Sequence, residues 1–197
     1  MATLSNIQTG TVTIQGTSAT SATATITSVD TSKSLLLFTQ TTNINSNWSE
    51  RHQVDGYLTN STTVTFTKGA GFAAAGNTLT IRWWVVEWSA GVTVQRGRAA
   101  LADNTTPEDI TITSVDTSKA WPVVSTSCLD AAAANQQNAA DFFGASLTSA
   151  TNLRIDWLGG TAVGQTVSWQ VIEYADCSVQ TGTVAFGTGD TSKTATI

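Results

Sequence analysis

The stretch IQTGTV, at residues 7–12, recurs as VQRGRA at residues 94–99 and again as VQTGTV at residues 179–184. Each version places a Gln two residues before a Gly and ends on Val or Ala. Recurrence of one pattern along a chain is the sign of a repeated structural unit. The three versions begin 87 and 85 residues apart, so a unit of roughly this length is expected.

The repeat extends well beyond this stretch. ATITSVDTSKS at residues 24–34 returns as ITITSVDTSKA at residues 110–120. The offset is 86 residues in these two pieces, and it is the same between Glu87 and Glu173, which lie in the apolar stretches WVVEW and QVIEY. We therefore expect two complete copies of one unit, followed by the beginning of a third.

Each copy has the pattern of a β-sandwich. GTVTI and TVTFT alternate apolar and polar residues, SLLLF is a short continuous apolar run, and TLTIRWWVVEW is the longest apolar stretch. Such runs, separated by Gly, Asn, Asp and Ser, are typical of short antiparallel strands. The predicted fold class is all-β, with two tandem antiparallel β-sandwich repeats of about 86 residues, at residues 1–90 and 91–176. A C-terminal strand pair from a partial third repeat is predicted at residues 177–197.

One segment departs from this pattern. Residues 128–144, CLDAAAANQQNAADFFG, are rich in Ala, with Asp130 as an N-cap and Gly144 as a C-cap if they form a short helix. A helix and an irregular loop both remain open there.

Composition narrows the functional classes. Charged residues make up 12% of the sequence, against about 25% in typical soluble domains, and the net charge is −5. An acidic chain without a cluster of Lys and Arg is poorly suited to the phosphates of nucleic acid. No apolar run approaches the ~20 residues of a membrane-spanning helix. We therefore expect neither nucleic-acid binding nor membrane insertion.

The N-terminus and the cysteines bear on the compartment. Residues 1–10 have neither the basic nor the apolar region of a secretory signal peptide, and we expect the chain to fold in a cytoplasm. Cys128 and Cys177 can form one disulfide bond or remain as two buried thiols. A reducing compartment favours the thiols.

The sequence offers no convincing catalytic group. His52 is the only histidine, so any Ser–His–Asp arrangement would need it, but it lies in the polar stretch NWSERHQVD, which is typical of a solvated loop. One histidine and two distant cysteines do not make a zinc site. We expect no enzyme activity, no metal and no cofactor.

Two acidic residues of the repeated unit, a Glu and an Asp, recur in both copies. Glu87 and Glu173 lie in hydrophobic strands, where a carboxylate beside an indole can bind a sugar hydroxyl or, as we favour, pair with an arginine or a backbone amide. Asp30 and Asp116, in SVDTSK, are predicted to form turns.

The last segment keeps the apolar pattern of strands at Val179, Val184, Phe186 and Ile197. Two strands alone cannot bury their apolar face, so they must pack on something else. They can extend a sheet of the second copy, complete the first copy, or cross to a neighbouring subunit as donated strands.

The stretch from IQTGTV through SVDTSKSLLLF, at residues 7–38, resembles a module of bacteriophage and prophage virion proteins. In that module a Q-x-G strand precedes a Thr/Ala-rich strand and an (A/S)VDTSKS turn. The strand order, with a closing W-x-V-x-E/Q-W/Y strand, is also similar to that of H-type lectin domains. That similarity implies six-stranded sandwiches that form trimers and bind sugars.

The resemblance implies a structural protein of the virion. We expect a capsid decoration or cement protein, or a tail or collar accessory component, that contacts other virion proteins and forms a homo-oligomer, a trimer by the resemblance. The alternative is an adhesion module for glycans of the host surface, in which tandem copies supply avidity. Its predicted contacts are Trp48, Arg51, His52 and Tyr57, in and beside the loop at residues 43–56.

Overall fold

The computed structural model describes residues 1–43, 52–69, 74–101, 107–127, 142–157 and 165–196. No α-helix occurs in these ranges, which contain twelve strands and one 3₁₀ turn at Thr31–Lys33. The prediction of an all-β chain is confirmed. The helix considered for residues 128–144 lies mostly outside the described residues, but Gly144 belongs to a strand and is not a helix cap.

The strands form two sets of six. The first unit comprises β1 (Thr3–Gln15), β2 (Ser21–Thr25), β3 (Ser34–Thr42), β4 (Asp55–Asn60), β5 (Thr63–Thr67) and β6 (Thr78–Ala90). The second unit comprises β7 (Val92–Ala100), β8 (Glu108–Thr111), β9 (Ala120–Ser127), β10 (Phe143–Ser149), β11 (Asn152–Trp157) and β12 (Thr166–Tyr174).

The two units have the same strand order. In the first unit β6 lies between β1 and β3, and β5 lies between β2 and β4. In the second unit β12 lies between β7 and β9, and β11 lies between β8 and β10. All pairs are antiparallel. The last strand of each unit is therefore the centre of one three-stranded sheet. We call this sheet, which has the longer strands, the larger sheet of the unit, and we call β6 and β12 the closing strands.

The alternation along β6 builds the core of the first unit. Leu79, Ile81, Trp83 and Val85 point inward and are buried, as expected for residues two apart on one face of a strand. They meet the smaller sheet, whose Phe66 is fully buried. A side chain of this kind stabilises the fold by about 1.5–3 kcal/mol on leaving water. The two sheets thus face each other across one apolar layer.

The second unit repeats this arrangement with different residues. Leu153 and Ile155 of β11 are fully buried, and they pack with Val167 and Val171 of β12. The smaller sheets also share a register shift at the same place, between Leu58 and Asn60 in β4 and between Leu147 and Ser149 in β10. This shared irregularity fixes which residues of β4 and β10 correspond.

Corresponding side chains make the same contacts in both units. The amide of Gln8 donates to the carbonyl of Thr27 at 2.9 Å and accepts from its N–H at 2.7 Å. The amide of Gln95 makes the same two bonds to Thr113, at 2.8 and 2.7 Å. Each bond pair ties the first strand of a unit to the loop that crosses over it.

The acidic residues that recur in both copies hold the turns. Asp30 accepts from the N–H of Ser32 at 2.9 Å, and Asp116 accepts from that of Ser118 at 3.0 Å, which confirms their predicted role. Hydrogen bonds from these serines lower the pKa of both aspartates.

Glu87 and Glu173 hold the same turns through the backbone of these aspartates. They accept the backbone N–H of Asp30 and Asp116 at 2.6 and 2.8 Å. The preferred interpretation, a carboxylate bonded to a backbone amide, is confirmed.

A glycine lies beneath the tryptophan of each closing strand. A β-carbon on Gly10 would lie 2.4 Å from Cζ2 of Trp83, and one on Gly97 would lie 2.5 Å from Cζ2 of Trp169. Both tryptophans lie directly opposite their glycine in the strand register. The glycine of the Q-x-G pattern is therefore required by close packing of an indole.

The C-terminal segment differs from its prediction. Residues 177–196 contain no strand, so the predicted strand pair is wrong within these residues. Val184 and Phe186 are exposed, Val179 is half-buried, and Ile197 lies outside the described residues. In both units the first strand pairs with a closing strand, but β6 and β12 are already flanked on both sides. The segment therefore has no free closing strand to pair with among the described residues.

We predict that Gly97→Ala lowers the free energy of unfolding by about 1–3 kcal/mol, because the new methyl group overpacks the indole of Trp169. Gly144→Ala is the control, since its β-carbon would approach no described atom closer than 3.9 Å, and alanine in an open strand position is no worse than glycine. Urea denaturation measures both. Equal midpoints for the two variants would contradict this packing role.

Candidate functional site

The residues predicted to contact a glycan do not form one surface in the structure. Trp48 and Arg51 lie outside the described residues. His52 is only 3% exposed, so the expectation of a solvated loop residue is wrong, and its side chain is not available to a ligand in this conformation. Its backbone carbonyl accepts from the amide of Gln40, which fixes this end of the loop against β3. Tyr57 alone lies at a surface, in β4, and it faces the second unit.

The junction of the two units is the most elaborate polar contact in the described residues. The outer face of the larger sheet of the second unit packs on the edge of the first sandwich, where β3 and β4 present their free sides. An edge strand leaves backbone N–H and C=O groups without a partner, and these attract further pairing. Side chains of the second unit satisfy them here.

Gln170 of β12 pairs with the backbone of β3. Its amide oxygen accepts the N–H of Leu36 at 2.9 Å, and its amide nitrogen donates to the carbonyl of Leu36 at 2.9 Å. The side chain thus imitates one step of a β-ladder. It ends the first sheet at β3 without adding a strand.

Arg96 of β7 bonds to the turn that precedes β3. Its guanidinium donates to the carbonyls of Thr31 and Ser34. Burial lowers the pKa of Arg96 to about 10, so it remains charged at neutral pH. Its Nη1 is buried and has no hydrogen-bond partner among the described residues.

Arg98, two residues further along β7, pairs with Asp55 of β4. The guanidinium lies 2.7 Å from the carboxylate, which is fully buried, and 4.1 Å from the ring centre of Tyr57. Beside this pair, the hydroxyl of Ser125 accepts the N–H of Gly56 at 3.1 Å. The three contacts fix the edge of β4 against the second unit.

An apolar layer completes the junction. Leu35 and Trp88 of the first unit pack against Val92, Val94 and Ile172 of the second. Trp88 meets the ring of Tyr174 edge-on at 5.4 Å. Apolar burial supplies affinity between the units, and the polar contacts set their register.

A pocket of about 230 Å³ runs along the junction between the two units. Its lining includes Tyr57, Arg98, Trp169 and Gln170. Arg98 already pairs with Asp55, and Gln170 with Leu36, so their hydrogen-bonding groups serve the junction. Two of the lining residues are therefore already paired, whereas Nη1 of Arg96, another lining residue, has no hydrogen-bond partner among the described residues.

The first unit has an outer sheet face of its own, and the part of it that lies away from the junction is exposed. Leu4, Ile7 and Leu37 are 53%, 51% and 42% exposed, and Trp84 between them is half-buried. Trp84 lies beside Leu37 in the register of β6 and β3. We call these four residues the outer face. It corresponds to the face of the second unit that is buried at the junction.

The outer face differs from its counterpart in chemistry. Trp84 stands where the second unit has Gln170, and Thr9 and Thr11 stand where it has Arg96 and Arg98. The groups that bond to the edge of the first unit are thus replaced by an indole and two small hydroxyls.

The described ranges contain no group of three or more His, Cys, Asp and Glu side chains placed to hold a metal ion. They also contain no helix of the length and apolarity needed to cross a membrane. Cys177 is a free thiol whose Sγ lies 3.4 Å from the carbonyl of Lys119, while Cys128 lies outside these ranges.

Comparison of the chain with models of known protein families, with curated protein sequences and with solved structures found no match.

We predict that Arg98→Ala lowers the free energy of unfolding by about 1–3 kcal/mol, because it leaves the carboxylate of Asp55 buried without its partner. This loss is smaller than for a fully buried ion pair, because Arg98 is itself partly exposed. Urea denaturation of Arg98→Ala, Asp55→Asn and the double variant measures the coupling. Arg154→Ala, Asp109→Asn and their double variant give the coupling of an exposed ion pair as the control, and this coupling should be much smaller. A coupling no larger than that of the control pair would contradict the junction role.

Proposed function

We propose that this chain is a structural protein of a bacteriophage particle, a capsid decoration protein or a tail accessory component, and that the outer face attaches it within the assembly. The observation that carries the proposal is the exposure of this face. In the second unit the corresponding face docks onto the edge of a neighbouring sandwich.

The junction inside the chain supports this reading of the outer face. In this junction the sheet face of one unit is covered by the sandwich edge of another. Leu37 and Trp84 lie opposite each other in the register of β3 and β6, and exposed apolar patches mark interaction sites on soluble proteins. A protein that docks through repeated rigid units suits a particle built from many identical subunits.

The kind of particle rests on the resemblance of residues 7–38 to modules of phage virion proteins. The chemistry of the described residues fits a part without catalytic function, because the charged and polar groups of the junction are used to hold the two units together. Glycan binding by the loop beside Tyr57 stays a prediction, since Trp48 and Arg51 lie outside the described residues.

The proposal is tested on phage particles purified from the source host, with antibody against the chain and immunogold labelling. We expect labelled particles from the wild type. The variant Leu37→Lys should lose most of the label, because a charged side chain that must leave water opposes burial of the outer face. Thr23→Lys, on the exposed side of the smaller sheet, is the charge-matched control and should leave labelling unchanged.

Three results would overturn the proposal. The first is chain that remains wholly in the soluble fraction. The second is equal label on Leu37→Lys and wild-type particles. The third is loss of label in the Thr23→Lys control.

A further inference from the structure

We propose that residues 179–186 of one copy of this chain take the place of β1 in a second copy, pair with its β6, and so join copies head to tail. This inference deepens the proposed function, on which it rests for its setting, by naming the partner as a second copy of this chain. It starts from the position of the C-terminal segment in the fold.

The segment already lies where the first strand of a further unit belongs. At the junction, Arg96, Gly97 and Arg98 of β7 lie beside residues 56–58 of β4 and line one pocket with them. Thr181, Gly182 and Thr183 correspond to these three residues of β7. They line an equivalent pocket with Ala145, Ser146 and Leu147 of β10, which correspond to residues 56–58.

A further contact anchors the segment on the second unit. The N–H of Val179 donates to the carbonyl of Ser118 at 2.7 Å, in the turn that precedes β9. The corresponding turn of the first unit receives Arg96 of β7. The segment thus meets the second unit as β7 meets the first, but no closing strand lies beside it among the described residues.

The segment carries the features that a closing strand requires of its partner. Gln180 and Gly182 correspond to Gln8 and Gly10 of β1, and Gly10 is the residue that lies beneath the indole of Trp83. At Gly182, by contrast, a β-carbon would meet no described atom within 4 Å. The glycine is superfluous where the segment now lies, and it is required if Trp83 of a second copy packs over it.

The apolar residues of the segment point to the same destination. Phe186 corresponds to Ile14 of β1 and to Leu101 in the second unit, which are 1% and 4% exposed, whereas Phe186 is 61% exposed. Val184 corresponds to Val12 and is exposed as well. Pairing with a second copy's β6 would place Phe186 in the core position of Ile14.

The surfaces that would then meet have compatible chemistry. Trp84 of the second copy would face Pro122, which corresponds to Leu36 and has no N–H to offer an amide such as Gln170. At the position of Asp55 stands Gly144, and opposite it Thr183 replaces Arg98. Both partners of the internal ion pair are thus replaced together. Between copies Trp84 would face Pro122, where inside the chain the amide of Gln170 bonds to the backbone of Leu36.

The centre of the ladder is conserved on exchange. The segment and β1 share QTGTV, at residues 180–184 and 8–12, so the backbone hydrogen bonds of these five residues are replaced by equivalent ones. Exchange of near-identical elements between copies is a low-cost route to assembly. The contact is heterologous, so it builds either an open filament or a closed ring. A closed ring of three would be the trimer that the sequence resemblance implies.

The experiment is sedimentation velocity of the full chain over a wide concentration range, for the wild type, Gly182→Val and Phe186→Asp. We expect the wild type to associate and both variants to need at least tenfold higher concentration. Valine at 182 would clash with Trp83 of the next copy, and aspartate at 186 cannot enter its core. Gly76→Val is the matched control, since a β-carbon there also meets no described atom, and it should associate like the wild type.

The outcomes separate this inference from the proposed function. If Gly182→Val associates as readily as the wild type, strand exchange is overturned, while labelling of phage particles still decides the structural role. A wild type that stays monomeric throughout overturns the exchange as well. Equal melting temperatures of Gly182→Val and the wild type in dilute solution show that the variant is folded, because a β-carbon at position 182 would meet no described atom within 4 Å in the single chain.

Discussion

The indole of each closing strand lies so close over the first strand of its unit that only glycine fits beneath it. This constraint, between Trp83 and Gly10 and between Trp169 and Gly97, fixes which residues of the two strands are opposite each other. A slip of one residue would place a β-carbon against the indole and would turn the apolar face of the strand to solvent. The register of the larger sheets, and with it the cores they cover, depends on this contact.

The junction between the units solves a problem that every open sandwich has. The free sides of β3 and β4 would otherwise expose backbone groups, and Gln170, Arg96 and Ser125 satisfy them from the second unit. Sheet face against sandwich edge is therefore the rule by which one unit follows another in this chain. The outer face of the first unit and the edge beside β10 are the two surfaces where the same rule can continue between copies.

Much of the fold could be predicted from the sequence because it is encoded locally and twice. The longest apolar stretch, TLTIRWWVVEW, was predicted as a strand and forms β6, and the SVDTSK pieces predicted the turns that Asp30 and Asp116 hold. These features need only neighbours in the chain or a pattern of period two.

The junction was not predicted, because its contacts join residues far apart in sequence. Arg98 and Asp55 are 43 residues apart, and Gln170 and Leu36 are 134 apart. A signal did exist: Arg96 and Arg98 occupy outward positions of a strand where IQTGTV has threonines. The polar stretch around His52 predicted a solvated residue, and this prediction is wrong because the His52 side chain is buried. At the C-terminal segment the apolar pattern predicted strands, which is wrong for residues 177–196, because no free closing strand is available in the described part of the single chain.

Hydrogen exchange of the full chain, compared between dilute and concentrated solution, tests the central claim that the internal junction is continued between copies. The account predicts that amides of residues 180–186 exchange rapidly when dilute and slowly when concentrated, while β6 stays protected throughout and β1 loses protection. Association that leaves residues 180–186 in fast exchange, or protection of those residues at every concentration, would contradict it.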